Sequence, residues 1–84
     1  MLTGGVWAEI KVGDEHLRLF SENNAQGVQA SVYNVVRKMW VAPSQEVDDV
    51  DKGKEWAAEV ATEYLKNAGH SDWPPLVWKE ARSR

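Results

Sequence analysis

The chain has 84 residues, of which 43% are apolar and 27% are charged, and its formal net charge is −3. A chain of this length holds a single domain, and its mixed composition excludes intrinsic disorder. Because it has no cysteine and no apolar run near the ~20 residues of a membrane span, we exclude disulfides, thiolate chemistry and a membrane partner, and we expect a cytoplasmic protein.

The first two predicted elements form a β-hairpin. In the stretch VWAEIKV, the apolar residues Val6, Ala8, Ile10 and Val12 alternate with Trp7, Glu9 and Lys11, which predicts a half-buried strand over 5–13. The following Gly13-Asp14-Glu15 is typical of a short turn, and the alternating HLRLF segment predicts a second strand over 16–21. The polar stretch SENNAQG then predicts a loop that reverses the chain.

The third element is open to two interpretations. In VQASVYNVVRKMWV, the spacing of the apolar residues fits one face of a helix, whereas the valines and aromatic residues favour a strand. A two-stranded hairpin needs a third partner for stability, and a helix here would contain Gly27 and several β-branched residues. We therefore predict one long strand over 28–41, with a bulge or bend near Arg37-Lys38.

The fourth element is an amphipathic helix over 49–68. Apolar residues repeat along it at intervals of three and four, and Gly69 is a typical C-terminal stop. The apolar stripe consists of Trp56, Ala57, Val60, Ala61, Tyr64, Leu65 and Ala68. Asp48, Asp49 and Asp51 lie around the predicted start, where carboxylates oppose the positive end of the helix dipole.

These elements predict an α+β domain over 1–84. It consists of a three-stranded antiparallel meander, the helix on its aliphatic face, and an extended Trp/Pro-rich tail over 69–84. Pro74 and Pro75 stiffen the tail, which reduces the entropy lost when Trp73 and Trp78 are pinned. We expect the tail to pack against its own domain, since large exposed apolar patches are uncommon on monomers. The alternatives are that it covers the second face of the sheet or binds another chain.

No catalytic, cofactor-binding or metal-binding residues are predicted. His16 and His70 lie outside any nucleophile motif, and no serine has a G-x-S-x-G context. The carboxylates around Asp49 could bind a hard cation, but their spacing does not match an EF-hand, so helix capping is favoured. We expect neither enzymatic activity nor a small-molecule substrate. The alternative is a compact enzyme that uses His16 or His70 with nearby carboxylates.

The second face of the predicted sheet is the most informative feature, since a single helix covers only one face. Aromatic residues, arginine and lysine are interleaved on it, and tryptophan, tyrosine and arginine dominate the binding energy of protein interfaces. The predicted partner-binding residues are Trp7, Arg18, Phe20, Tyr33 and Arg37 from the sheet, with Trp73 and Trp78 from the tail.

The leading functional hypothesis is a non-enzymatic interaction module that binds a protein partner or forms a homodimer. The same face offers rings and cations to single-stranded nucleic acid, but the acidic net charge makes this partner less favoured. A third hypothesis is an accessory protein of a phage or mobile element that inhibits a host factor by binding it. The chain resembles such proteins only in its size and in its lack of cysteine and of a catalytic pattern.

Overall fold

The computed structural model describes residues 4–24 and 27–81, which form six strands and one helix. In chain order these are β1 (Gly4–Val12), β2 (Glu15–Asn24), β3 (Gly27–Asn34), β4 (Met39–Trp40), β5 (Gln45–Val47), α1 (Val50–Asn67) and β6 (Lys79–Ala81). The α+β class is therefore confirmed, whereas the predicted three-strand meander is only the centre of a larger sheet.

The strands pair antiparallel in the order β4-β3-β2-β1-β6, and β5 also pairs with β3. β4 pairs with the end of β3 and β5 with its beginning. At the other side of the sheet, β6 pairs with β1 and places Lys79 opposite Trp7. The segment between the predicted third strand and the predicted helix contributes β5, and the predicted tail contributes β6. The last three residues of that tail, 82–84, lie outside the described residues.

The β1–β2 hairpin is confirmed, with a two-residue turn at Gly13-Asp14. Gly13 has a φ of 56°, a left-handed conformation that glycine adopts without steric penalty. The second strand is longer than predicted, because β2 continues to Asn24 and pairs with the beginning of β3. The stretch SENN is therefore strand rather than loop, and residues 25 and 26 of the predicted loop lie outside the described residues.

The prediction of one long strand over 28–41 is wrong. β3 ends at Asn34, the chain turns through residues 35–38, and β4 returns along β3. The Asn34 Oδ1 accepts a hydrogen bond of 2.9 Å from the Arg37 backbone N–H, and Lys38 takes a φ of 57°. A short amide side chain that bonds the backbone just ahead of it stabilises a turn locally. A full reversal therefore occurs where only a bend was predicted.

Local hydrogen bonds cap both ends of α1. The Asp49 side chain accepts from the backbone N–H three residues later at 2.8 Å, which confirms the capping interpretation of this acidic segment. At the other end, the His70 N–H donates to the Leu65 carbonyl at 2.9 Å, and Gly69 has a φ of 94°. A left-handed glycine with this bond is typical of a Schellman motif. The predicted helix is one residue too long at each end.

The core lies between α1 and one face of the sheet. Its side chains come from alternate strand positions and from every fourth helix position. They are Ile10, Leu17, Leu19, Val32, Ala57, Ala61 and Leu65. Trp73, Leu76 and Trp78 are half-buried against this cluster, which confirms that the tail packs on its own domain. Trp73 and Trp78 therefore do not cover the other face of the sheet.

The helix comes close to the sheet at its first turns, where Gly53 is buried against Ser21. The Ser21 hydroxyl donates to the Val50 carbonyl at 2.8 Å. A Cβ at position 53 would overlap the Ser21 Oγ and lie 3.0 Å from the Ser21 Cβ. Ser21 is fully buried, and its hydroxyl could move away only by giving up its hydrogen bond. The distance between helix and sheet thus requires glycine at this position.

We predict that Gly53→Ala lowers the free energy of unfolding by about 1–3 kcal/mol, the usual cost of overpacking. The sign is informative, because alanine in place of glycine at an exposed helix position stabilises by about 1 kcal/mol. Urea denaturation measures the change. In a Ser21→Ala background the same substitution should cost less, since the overlapping hydroxyl is gone. A Gly53→Ala protein more stable than the wild type would contradict the close approach.

A buried polar cluster joins the sheet to the last turns of α1. The Asn34 Nδ2 donates to Glu15 Oε1 at 3.2 Å and to the Tyr64 hydroxyl at 3.0 Å, and that hydroxyl donates to Glu15 Oε1 at 3.2 Å. The Asn34 Oδ1 also holds the β3–β4 turn. The turn that returns Trp40 to the sheet is therefore fixed both by a local bond and by contacts with the helix.

We predict that Tyr64→Phe costs about 1–2 kcal/mol, because the buried Glu15 carboxylate and Asn34 amide each lose a partner. Urea or thermal unfolding checks this value. The matched control is Tyr33→Phe, since Tyr33 lies on the other face of the sheet and outside the cluster. Its effect should stay below about 0.5 kcal/mol. Equal losses in the two variants would show that the cluster does not have the proposed stabilising role.

Candidate interaction face

The candidate site is the sheet face turned away from α1, which we call the open face. Side chains alternate along each strand, so the neighbours of the core positions point to this face, and the strand register arranges them in rows. The two central rows are Trp7–Phe20–Ser31 and Glu9–Arg18–Tyr33–Trp40, and Lys79 extends the first row beyond Trp7. The helix of the described residues lies on the opposite face.

Trp7 lies close to two cationic side chains. The Arg18 guanidinium carbon is 5.9 Å from the centroid of the indole, and the Lys79 Nζ is 5.2 Å from it. Contacts of this kind contribute about 0.5–1 kcal/mol each at exposed positions. They hold two long side chains against a half-buried ring, which reduces the entropy that these side chains lose when a partner binds.

Trp40 is the exposed centre of a cluster of three aromatic rings. The centroids of Tyr33 and Trp40, which are cross-strand partners, lie 4.9 Å apart at an interplanar angle of 67°. Phe20 and Trp40 lie 6.5 Å apart at 64°. Both pairs have the edge-to-face geometry that aromatic rings prefer. Trp40 is still 55% exposed, so a partner could bury a large apolar surface that is already ordered.

Glu9 links two basic side chains of the open face. Its Oε2 lies 2.8 Å from His16 Nε2 and 2.9 Å from Arg18 Nε. The hydrogen bond from His16, followed by that from Arg18, lowers the pKa of Glu9 below the ordinary value of a glutamate. Glu9 therefore stays ionised and helps to fix the guanidinium that lies over Trp7.

The two ends of the open face carry opposite charges. Glu22 and Glu46 flank Gln29 in the row nearest the β2–β3 connection. Lys11 pairs with His16 in the row nearest the β1–β2 turn. Among the described residues of this face, the basic residues Lys11, Arg18 and Lys79 balance the acidic residues Glu9, Glu22 and Glu46 when His16 is neutral. The face is thus polarised along the strands and is not uniformly basic.

The open face contains four of the predicted partner-binding residues, namely Trp7, Arg18, Phe20 and Tyr33. The structure does not bring the other three to it. Arg37 lies exposed in the β3–β4 turn. Trp73 and Trp78 pack against the core on the other side of the sheet.

Trp40 and Lys79, which contact the aromatic residues of the open face, are absent from the predicted set. The position of Trp40 depends on the reversal after Asn34, which pairs it with Tyr33. An asparagine that interrupts a β-rich pattern is the sequence signal that indicates this turn. Lys79 reaches the face through the three-residue strand β6, for which the sequence carries no comparable local signal.

The helix side of the protein has a groove between α1 and the β4–β5 connection. Both apolar and polar side chains line it. The apolar part consists of Val41, Ala42, Trp56, Val60 and Tyr64, and the polar part of Glu59, Glu63 and Asn67. In the part of the chain that the structure describes, no three histidine or carboxylate side chains are grouped to hold a metal ion. Among the residues that the structure describes, no serine, histidine or lysine lines this groove.

None of the described helical residues forms a segment long and apolar enough to cross a membrane. No family model matches the chain, and no curated protein or solved structure matches it.

The lowered pKa of Glu9 predicts a pH-dependent contribution to stability. A carboxyl group whose folded-state pKa lies below its unfolded value of about 4.3 stabilises the fold above that value, and this contribution is lost as the pH falls through the folded pKa. Glu9→Gln should therefore be less stable than the wild type near neutral pH, and the difference should shrink below about pH 4.

Urea unfolding of both proteins across a pH series measures this difference. Glu63→Gln, at an exposed position of α1, is the matched control for the loss of one carboxylate. A difference between Glu9→Gln and wild type that grows on acidification would contradict the lowered pKa.

Proposed function

We propose that this protein is a small, non-enzymatic interaction module that binds a protein partner through the open face. The observation that carries the proposal is the exposed Trp40, held edge-to-face between Tyr33 and Phe20 on a face that α1 does not cover. Arg18 and Lys79 are ordered against Trp7 in the same area. Tryptophan, tyrosine and arginine are the residue types that contribute most to binding at protein interfaces.

The charge of the open face favours a protein partner over single-stranded nucleic acid. A nucleic-acid platform combines stacking rings with a basic groove that follows the phosphates. Here Glu22 and Glu46 lie at one end of the face, Glu9 neutralises Arg18, and the chain carries a net charge of −3. Phosphates that lay along this face would approach carboxylates at one end. The hypothesis of an accessory protein that inhibits a host factor is a special case of protein binding, and it has no residue-level support.

The other three predicted contact residues lie outside the open face. Arg37 is exposed in the turn beside the row of Trp40, so it can contact a partner that overhangs this end of the sheet. Trp73 and Trp78 are half-buried on the helix side, where they support the sheet, and they contact a partner only if it also reaches that side. We also propose a cytoplasmic location, because the sequence contains no cysteine.

The proposal predicts that a photo-crosslinking amino acid at position 40 gives covalent adducts with protein in the native host. The same amino acid at position 59, exposed on α1, is the matched control and should give none. The adduct mass distinguishes a second copy of the chain from a different protein. Tyr33→Ala should reduce the yield about tenfold or more, because it removes the ring that orders position 40. Adducts from position 59 alone, or none from position 40, would refute binding through the open face.

A further inference from the structure

We propose that the partner of the open face is a second copy of this chain, packed face to face about a two-fold axis that runs across the strands. This inference rests on the proposed function and identifies its partner. The observation that carries it is the opposite charge at the two ends of the face.

The charged ends are far apart within one chain. The row of Glu22 and the row of Lys11 are six residues apart along β1, from Gly5 to Lys11, which corresponds to roughly 20 Å. This separation exceeds the Debye length of about 8 Å at physiological salt, so the two ends interact weakly within a monomer. Glu22, Glu46 and Lys11 are exposed, and in the described part of the chain none of them forms an ion pair.

Symmetry decides which ends meet in a dimer. A closed dimer uses the same face of both chains, and the direction of its two-fold axis determines which rows oppose each other. With the axis along the strands, the row of Glu22 and Glu46 meets the same row of the partner, and carboxylates oppose carboxylates. With the axis across the strands, the order of rows is reversed, and Glu22 meets the partner's His16 next to the partner's Lys11. Like charges disfavour the first arrangement, and opposite charges favour the second.

The reversed order of rows also suits the centre of the face. It sets Phe20 against the partner's Arg18, so that a guanidinium lies over a ring in both directions. Glu9 becomes buried in this arrangement, but His16 and Arg18 already pair its carboxylate at 2.8 and 2.9 Å. The Glu9 carboxylate is therefore not left unpaired when it is buried. A buried charge without a partner would be strongly destabilising. Two twisted sheets stacked face to face keep their strands within about 30° of each other, which preserves this pairing of rows.

The area of the open face determines the affinity that we expect for the dimer. The open face is five strands wide, with about 4.8 Å between neighbouring strands, and seven residues long, with a rise of about 3.4 Å per residue. Its footprint is therefore roughly 20 Å by 20 Å. This footprint is below the roughly 800 Å² that each partner contributes to a standard stable interface. We therefore expect a dimer that dissociates on dilution, with a dissociation constant in the micromolar range.

Charge reversal at the two ends tests the arrangement. We expect Glu22→Lys and Lys11→Glu each to weaken self-association about tenfold or more, because every substitution occurs twice in a symmetric dimer. The double variant should recover most of the wild-type affinity, since the charges then complement each other again across the dimer. Glu59→Lys, an identical change of charge on exposed α1, is the control and should stay within about twofold of the wild type. Analytical ultracentrifugation from about 1 μM to several hundred micromolar measures the constants.

Recovery in the double variant is the decisive result, because residues roughly 20 Å apart in one chain cannot compensate each other within it. A double variant as weak as the single variants, or a wild-type chain that stays monomeric over the whole range, would overturn the proposal. Failure of the proposed function is distinguishable from this outcome. If the chain is monomeric but position 40 crosslinks to a different protein, only the proposed dimer is refuted. If the chain is monomeric and position 40 gives no adduct, the dimer and the proposed function are both refuted.

Discussion

The structure depends on the packing of α1 against the aliphatic face of the sheet. Gly53, Ala57 and Ala61 have small or absent side chains, so the helix lies close to the strands, and Leu65 completes the contact near the other end. Each fully buried leucine or valine of this layer contributes about 1.5–3 kcal/mol relative to exposure. Because the strand period is two, a register slip of one residue would exchange the two faces and bury charged side chains. Burial of the core therefore determines which residues form the open face.

The edges of the sheet determine the rest of that face. The turn held by Asn34 brings β4 back beside β3, and this pairing places Trp40 against Tyr33. At the opposite edge, β6 places Lys79 over Trp7. Short strands of two or three residues have little stability of their own, so tertiary contacts must hold them. For β4 these contacts are the polar cluster under its turn, and for β6 they are the tail tryptophans that pack on the core.

The sequence was sufficient to predict elements whose signal is periodic and repeated. The β1–β2 hairpin and α1 each carry a long amphipathic pattern, and Asp49 and Gly69 mark the two ends of the helix by well-understood capping chemistry. The same patterns predicted that Trp7, Arg18, Phe20 and Tyr33 share a face.

The remainder could not be predicted from pattern alone. Val35 and Val36 favoured a continuous strand, but Asn34 holds a turn there instead. It accepts a hydrogen bond from the Arg37 N–H and is itself held by Glu15 and Tyr64. β5 and β6 are too short to show an alternation, and their places depend on strands distant in the sequence. Trp73 and Trp78 are of a residue type that is common at protein interfaces. A stiff apolar segment beside an incomplete core nevertheless lowers the free energy of the folded state by packing against that core.

Exposed aromatic surfaces tend to associate without specificity, and the open face is such a surface. On the open face the rings lie in edge-to-face contacts and the cations lie against Trp7, so much of the surface is ordered before any partner arrives. Order of this kind favours partners that fit the existing shape, because only they avoid rearranging it. The carboxylates at one end and the lysine at the other add an orientation, since they penalise arrangements that bring equal charges together. Under the proposed function, the aromatic centre would supply the affinity and the charged ends would select how a partner docks.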